Sequence, residues 1–300
     1  WIFGSRALPE DEGQGSIKEA DLSGGLQMTA VIVLLFMALN FGQTLGWNNP
    51  LLLLGVALGF ILFVSFIFTE RRKEKPLLDL GIFKNRLFSL SLLMSLLNFT
   101  VAMFASILLP FYLQDYRDYA PGAAGFIMMA YPAAMLIVSP IAGALADKID
   151  KEVITFVGIS GIVLSQIGYL LIRADSPQWW VIAILLLQGA SMGAFQSPNN
   201  ALIMETVERK YLGIAGSVNS LIRNMAFVLG TSVATIILFL SMSSQLGYTV
   251  RTYLPEHPDT FLQGMHMAFV CSLVLTSISW ILAGVRLLGR KKIKEHLSEG

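Results

Sequence analysis

The sequence predicts an all-α fold: a polytopic transmembrane helical bundle of about eight spans. Three observations carry that prediction: a composition too apolar for water, uncharged runs of bilayer length, and basic residues sorted to alternate connections. Of 300 residues, 55% are hydrophobic and 14% charged, with mean hydropathy +0.66. A soluble domain carries about a quarter charged residues. The lipid bilayer is therefore the expected solvent. A net charge of +1 offers no basic field, so no nucleic-acid partner is expected.

A helix crosses a bilayer with about 20 apolar residues. Leu22 to Thr69 carries no charge and is long enough for two crossings, divided by a turn at Gly46-Trp47-Asn48-Asn49-Pro50. Further uncharged runs are Leu87–Gln114, Tyr119–Ala146, Val153–Ile172 and Ser176–Met204. Tyr211 to Val250 is broken only by Arg223, and the last run is Thr260–Val285. The connections are too short for a soluble domain. The expected organisation is a cytoplasmic segment (1–26), two helices (27–69), a basic loop (70–86), six helices (87–287) and a basic tail (288–300). No secretory signal opens the chain and its first residue is Trp1, so a fragment or processed product is expected.

Loop cations set orientation. Arg117, Arg173 and Arg251 fall on one side; every other Lys and Arg except Arg223 falls on the other, which carries both chain ends. Both ends are thus expected in the cytoplasm, with the chain in the inner (plasma) membrane. Trp47, Tyr112, Tyr116, Tyr119, Trp179, Trp180, Tyr248 and Tyr253 cluster at the expected outer ends, where amphipathic rings favour the interface.

Enzyme chemistry has little to work with. The single cysteine, Cys271, lies in an apolar run, and the histidines 257, 266 and 296 are scattered. Phosphate-cradling glycine loops and metal-ligand spacings are absent, so neither cofactor nor metal is expected. Any site belongs to polar residues within the spans. Arg223 leads: a charge at bilayer depth faces a cavity or a partner. Asn219 precedes it by four residues, and Ser220 pairs likewise with Asn224, so a polar stripe follows one helix face. The stripe lines a substrate path, locks a neighbouring helix, or uses Arg223 to bind backbone carbonyls. Asn98, Tyr131, Gln188 and Gln196 are further cavity candidates, or polar links between helices. Met94, Phe99, Met103 and Phe104 offer an adaptable apolar wall. Gly55 to Gly59 and Gly189 to Gly193 are small-residue patterns for close helix approach, and Pro132, Pro140 and Pro198 are expected to bend their spans. Asp and Glu fall in loops, tails or helix ends, so no carboxylate is placed for proton uptake inside a span.

The loop Gly143-Ala144-Leu145-Ala146-Asp147-Lys148-Ile149-Asp150-Lys151-Glu152 resembles the G-x-L-a-D-r-x-G-r-k loop of the major facilitator superfamily, with Asp150 in place of the second glycine. Asp21 to Leu26, Leu39 to Gly42 and Gly46-Trp47 look like the seventh helix of fourteen-helix drug:proton antiporters of the EmrB/QacA type. Lys75 to Leu80 with Phe83 to Arg86 resembles the loop before their ninth helix; Ser197 to Asn200 and Gly216 to Asn224 resemble their twelfth and thirteenth. The resemblance covers about residues 20 to 287. It implies the C-terminal portion, helices seven to fourteen, of a proton-coupled exporter of drugs or of amphipathic or cationic small molecules. The proton-linked carboxylates would lie in the N-terminal half. Gly143, Asp147, Lys148 and Lys151 would form a cytoplasmic gate loop. A related exporter of a metabolite or lipid precursor, a non-transporting scaffold, and a membrane enzyme are the rival classes.

Overall fold

In hydrocarbon a lone segment satisfies its backbone groups only as a helix, and every expected run is helical. The computed structural model describes residues 22–45, 49–70 and 80–298, in two compact units, residues 1–80 and 81–300. In the first unit, α1 (Leu22–Leu45) packs along α2 (Pro50–Glu70), and Gln27 Nε2 donates to the Leu62 carbonyl at 3.2 Å. Asn49 opens α2 by accepting from Leu51 N at 2.9 Å, with Pro50 at the first helical position, where its missing N–H costs nothing. Trp47 and the basic stretch 71–79 lie outside the described residues.

The second unit contains α3 (Arg86–Pro110) with a π-helical turn at Phe111–Tyr116, α4 (Pro121–Met128), α5 (Ala130–Ala146), α6 (Lys151–Leu170), α7 (Gln178–Glu205), α8 (Leu212–Leu246) and α9 (Pro258–Ser298). Helix α7 packs along α5 and α6, α3 pairs with α8, and α9 contacts α6, α3 and α8. Seven described segments are long and apolar enough to cross a membrane. The eighth expected span corresponds to α1, 24 residues long, in which Ser23–Leu34 forms a shorter apolar stretch. Helix α9 runs on to Ser298, so the expected tail continues the last helix.

Glycines set the closest approaches. A Cβ on Gly189 would lie 2.1 Å from the Tyr131 carbonyl oxygen, and one on Gly193 3.0 Å from Ser139 N, so α5 and α7 touch backbone to backbone. Gly158 of α6 meets Phe195 N of α7 at 2.6 Å, and Gly230 of α8 meets the Thr100 carbonyl of α3 at 2.3 Å. Gly55 has nothing within 4 Å among the described residues, so that half of the Gly55/Gly59 pattern packs no helix there.

The prolines behave unequally. Pro132 cannot donate to the Met128 carbonyl, and the span divides into α4 and α5 at Met129. Pro140 and Pro198 lie inside continuous helices. Pro110 similarly denies a donor to the Ser106 carbonyl, and the helix widens into the π-helical turn just after it.

The aromatic belt divides. Trp179 (64% exposed) and Tyr248 (54%) face outward, whereas Tyr112 (1%) is buried. Its hydroxyl donates to the Arg173 carbonyl at 2.8 Å, its ring stacks on Tyr116, and Phe261 packs against Tyr116 and Tyr253. Arg117 Nη1 donates to the carbonyls of Ala174 and Ser176, both at 2.8 Å. The ends of the spans expected to face outward are held together by aromatic packing and an arginine clamp.

Candidate functional site

Four helical stretches turn one face each toward a common cavity of about 660 Å³. Phe99, Ala102, Met103 and Ser106 of α3 recur at helical spacing, as do Met128, Tyr131, Pro132 and Met135 across the α4–α5 break. Leu185, Gln188 and Gln196 come from α7, and Arg223, Asn224 and Phe227 from α8. The walls are aromatic and thioether. The polar groups are two glutamines, an asparagine, a serine, a tyrosine and one guanidinium, the pattern of a small-molecule site.

Of the six candidates, Tyr131, Gln188, Gln196 and Arg223 line this cavity. Asn98 does not: it is buried at 1% exposure, and its Nδ2 donates to the Met94 carbonyl at 2.8 Å and to Ser279 Oγ at 2.7 Å, tying α3 to α9. Asn219 also lies elsewhere, donating to Asn200 Oδ1 at 3.0 Å between α8 and α7. Of the expected apolar wall, Phe99 and Met103 line the cavity, while Met94 and Phe104 are fully buried in the packed core.

Among the described residues Arg223 makes no hydrogen bond or ion pair, to backbone carbonyls or otherwise. Gln196 Oε1 is buried and likewise lacks a partner. Gln188 is held: its Oε1 accepts from the Tyr169 hydroxyl at 2.5 Å, and the Tyr169 ring stacks on Phe269 at 4.6 Å. Among residues that do not line the cavity, buried polar side chains close on one another. Ser272 donates to Gln166 Oε1 at 2.7 Å, and Asn199 donates to Ser95 Oγ at 2.9 Å and to the Ser91 carbonyl at 3.2 Å.

Sequence reasoning missed Arg286 and Glu152. Counted as end charges, both are buried, at 7% and 2% exposure, and Arg286 Nη1 donates to Ser91 Oγ at 2.8 Å. The available signal was spacing: Ser272, Ser279 and Arg286 recur every seven residues, one face of α9, and each meets a buried polar partner. Ser106 and Phe227 were missed as cavity residues.

In the loop between α5 and α6, Asp147 and Lys148 are exposed, and a Cβ on Gly143 would lie 2.9 Å from Ser197 Oγ of α7. Lys151 pairs with Glu205, joining the start of α6 to the end of α7. Asp150, where the resembled pattern has glycine, takes φ −56°, ψ 121°, which needs no glycine. Its carboxylate accepts from Glu152 N at 3.2 Å and caps α6.

Residues 22–234 match the Major Facilitator Superfamily. The chain belongs to the major facilitator superfamily, and is a multi-pass membrane protein of a transporter family. Riboflavin transporter RibZ of Clostridioides difficile (strain 630) is 30% identical over 288 residues, 96% of this chain and 58% of that protein. Multidrug transporter protein MdtP of Bacillus subtilis (strain 168) is 27% identical over 266 residues, 86% of this chain and 48% of its own. Multidrug resistance protein 3 of the same organism is 24% identical over 218 residues, 72% and 42%. The chain spans about half the length of the curated relatives it matches.

Proposed function

We propose that residues 1–300 are the C-terminal part of a fourteen-helix, proton-coupled exporter of the EmrB/QacA type, and that the cavity is this part's share of the path for an amphipathic small molecule. The observation that carries the reading is the cavity: four spans contribute one face each, and its Arg223 and Gln196 Oε1 lack protein partners among the described residues. A transporter of this family binds substrate between two halves near the midplane. Residues 27–69 would be the extra helix pair and 87–287 the six-helix domain, with 1–26, 70–86 and 288–300 cytoplasmic, in the inner (plasma) membrane. The sorting of Lys and Arg supports that orientation. Proton coupling falls to carboxylates of the N-terminal half.

Gly143, Asp147, Lys148 and Lys151 would gate the cytoplasmic side. The Lys151–Glu205 pair supports this, because it joins two helices at one end and breaks without disturbing either core.

Drug export is supported by the multidrug relatives, and a metabolite cargo by the riboflavin transporter, so the cargo class reaches from drugs to natural heterocycles. The test compares cells making residues 1–300 alone with cells that also make a matching N-terminal half. Energy-dependent efflux of fluorescein or riboflavin is expected only from the pair. Sustained efflux by residues 1–300 alone overturns the half-transporter reading, and no efflux from either overturns export.

A further inference from the structure

We propose that the cavity selects amphipathic ligands whose polar end is anionic, with Arg223 as the charge-selecting residue, and that it disfavours cations. The inference rests on the cavity being the substrate path.

Arg223 is the only charged side chain lining the cavity among the described residues; no Asp or Glu shares its wall. Its guanidinium carries no hydrogen bond or ion pair among those residues, and every flanking wall residue is neutral. A guanidinium never deprotonates at working pH, so half-buried Arg223 keeps its charge in the cavity. An unneutralised cation beside aromatic and thioether walls is costly at bilayer depth. A carboxylate, sulfonate or phosphate entering the cavity neutralises that charge through a charge-assisted, two-pronged contact. A cationic ligand meets like charge instead.

The rest of the cavity suits the other end of such a molecule. Phe99 and Phe227 meet edge to face at 5.7 Å, and Met103, Met128 and Met135 complete a wall that adapts to a flat ring system. The neutral amide of Gln188, held by Tyr169, adds polarity without charge to that wall. A charge-selecting arginine and an apolar slot together describe an amphipathic aromatic anion.

Residues 1–300 in phosphatidylcholine nanodiscs are titrated with two xanthene dyes of one shape and opposite charge, fluorescein and rhodamine 123, by fluorescence anisotropy. Fluorescein is expected to bind at least about tenfold more tightly, as one charge-assisted hydrogen bond requires. Raising the salt should erode the preference, Arg223→Gln should abolish it, and Arg223→Lys should retain part of it. Size-exclusion profiles check that the variants fold; the comparison of dyes in the unaltered chain stands if they do not. Anionic phospholipid carries the same chemistry. Loss of fluorescein binding in discs containing phosphatidylglycerol makes a lipid headgroup the occupant, and unchanged binding makes it a free solute. Equal or tighter binding of rhodamine 123, or a preference unmoved by Arg223→Gln, overturns the inference and leaves the cavity reading standing. If neither dye binds, the cavity reading itself fails.

Discussion

Replacing Gly189 by alanine tests whether the α5–α7 contact, which places Tyr131 beside Gln188, depends on an absent Cβ. The new carbon would sit 2.1 Å from the Tyr131 carbonyl oxygen, 2.9 Å from its carbon and 3.1 Å from Ala134 Cβ. A carbon–oxygen contact settles near 3.3 Å, so the helices must part by about 1 Å. The obstacle is backbone, which cannot rotate aside. Overpacking of this kind costs about 1–3 kcal/mol, opposed by about 1 kcal/mol that alanine gains in helix propensity. The upper end applies, leaving a net loss of about 2 kcal/mol. Gly213 in α8 is the control: nothing lies within 4 Å of its Cβ position, so Gly213→Ala should stabilise by about 0.5–1 kcal/mol. Unfolding in mixed micelles by added dodecyl sulfate, followed by circular dichroism, reads both. A midpoint for Gly189→Ala equal to or above that of Gly213→Ala refutes the close-packing argument.

Three further outcomes follow from the buried polar links, the helix cap and the loop before α9. Asn199→Leu removes the donors to Ser95 Oγ and the Ser91 carbonyl between α7 and α3, and should lower the same unfolding free energy by about 1–2 kcal/mol. Asp150→Ala removes the cap of α6 and should cost about 1 kcal/mol, whereas Asp150→Gly, which restores the resembled glycine, should cost only a few tenths. Tyr253 lies outside the spans; its partial burial raises its pKa above the ordinary tyrosine value, with Asp115, Tyr116 and Asp118 adding to the rise. The folded chain therefore keeps its proton where the unfolded chain has lost it, so this residue's contribution to stability falls as pH rises above about 10. Difference absorbance titration against Tyr253→Phe checks this, and a midpoint at or below the ordinary value contradicts it.

The helices were legible because uncharged runs of 20 residues have few alternatives in lipid, and Arg223 because a lone charge inside such a run needs a reason. The break at Met129 was expected only as a bend from Pro132, since proline removes a donor without stating how far the helix will relax. Asn98 and Gln188 could not be separated in sequence: both are amides within apolar spans, yet one bonds across to Ser279 and the other faces the cavity. Asn219 and Arg223 share a helix face at i and i+4, and still one ends on Asn200 while the other reaches the cavity, because a helix turn advances about 5 Å and passes from one neighbour to open space. Arg286 was misplaced because a cation just past an apolar run reads as a loop charge, and only its seven-residue spacing from Ser279 marks it as inward-facing.

Partner counting separates the two uses of polarity within this bundle. Tyr169, Asn98, Asn199 and Ser272 each close a hydrogen bond onto another helix, and their value is in fixing which helices touch. Such bonds average well under 2 kcal/mol in membranes, because a membrane-embedded unfolded chain also finds partners. A guanidinium left without one is in a different class, since its charge persists in every protonation state the protein can reach. Close glycine contacts at Gly158, Gly189 and Gly230 hold the bundle, and Arg223 adds no hydrogen bond to them among the described residues. If the proposed ligand is what Arg223 serves, substitutions there should alter ligand preference far more than the resistance of the bundle to dodecyl sulfate.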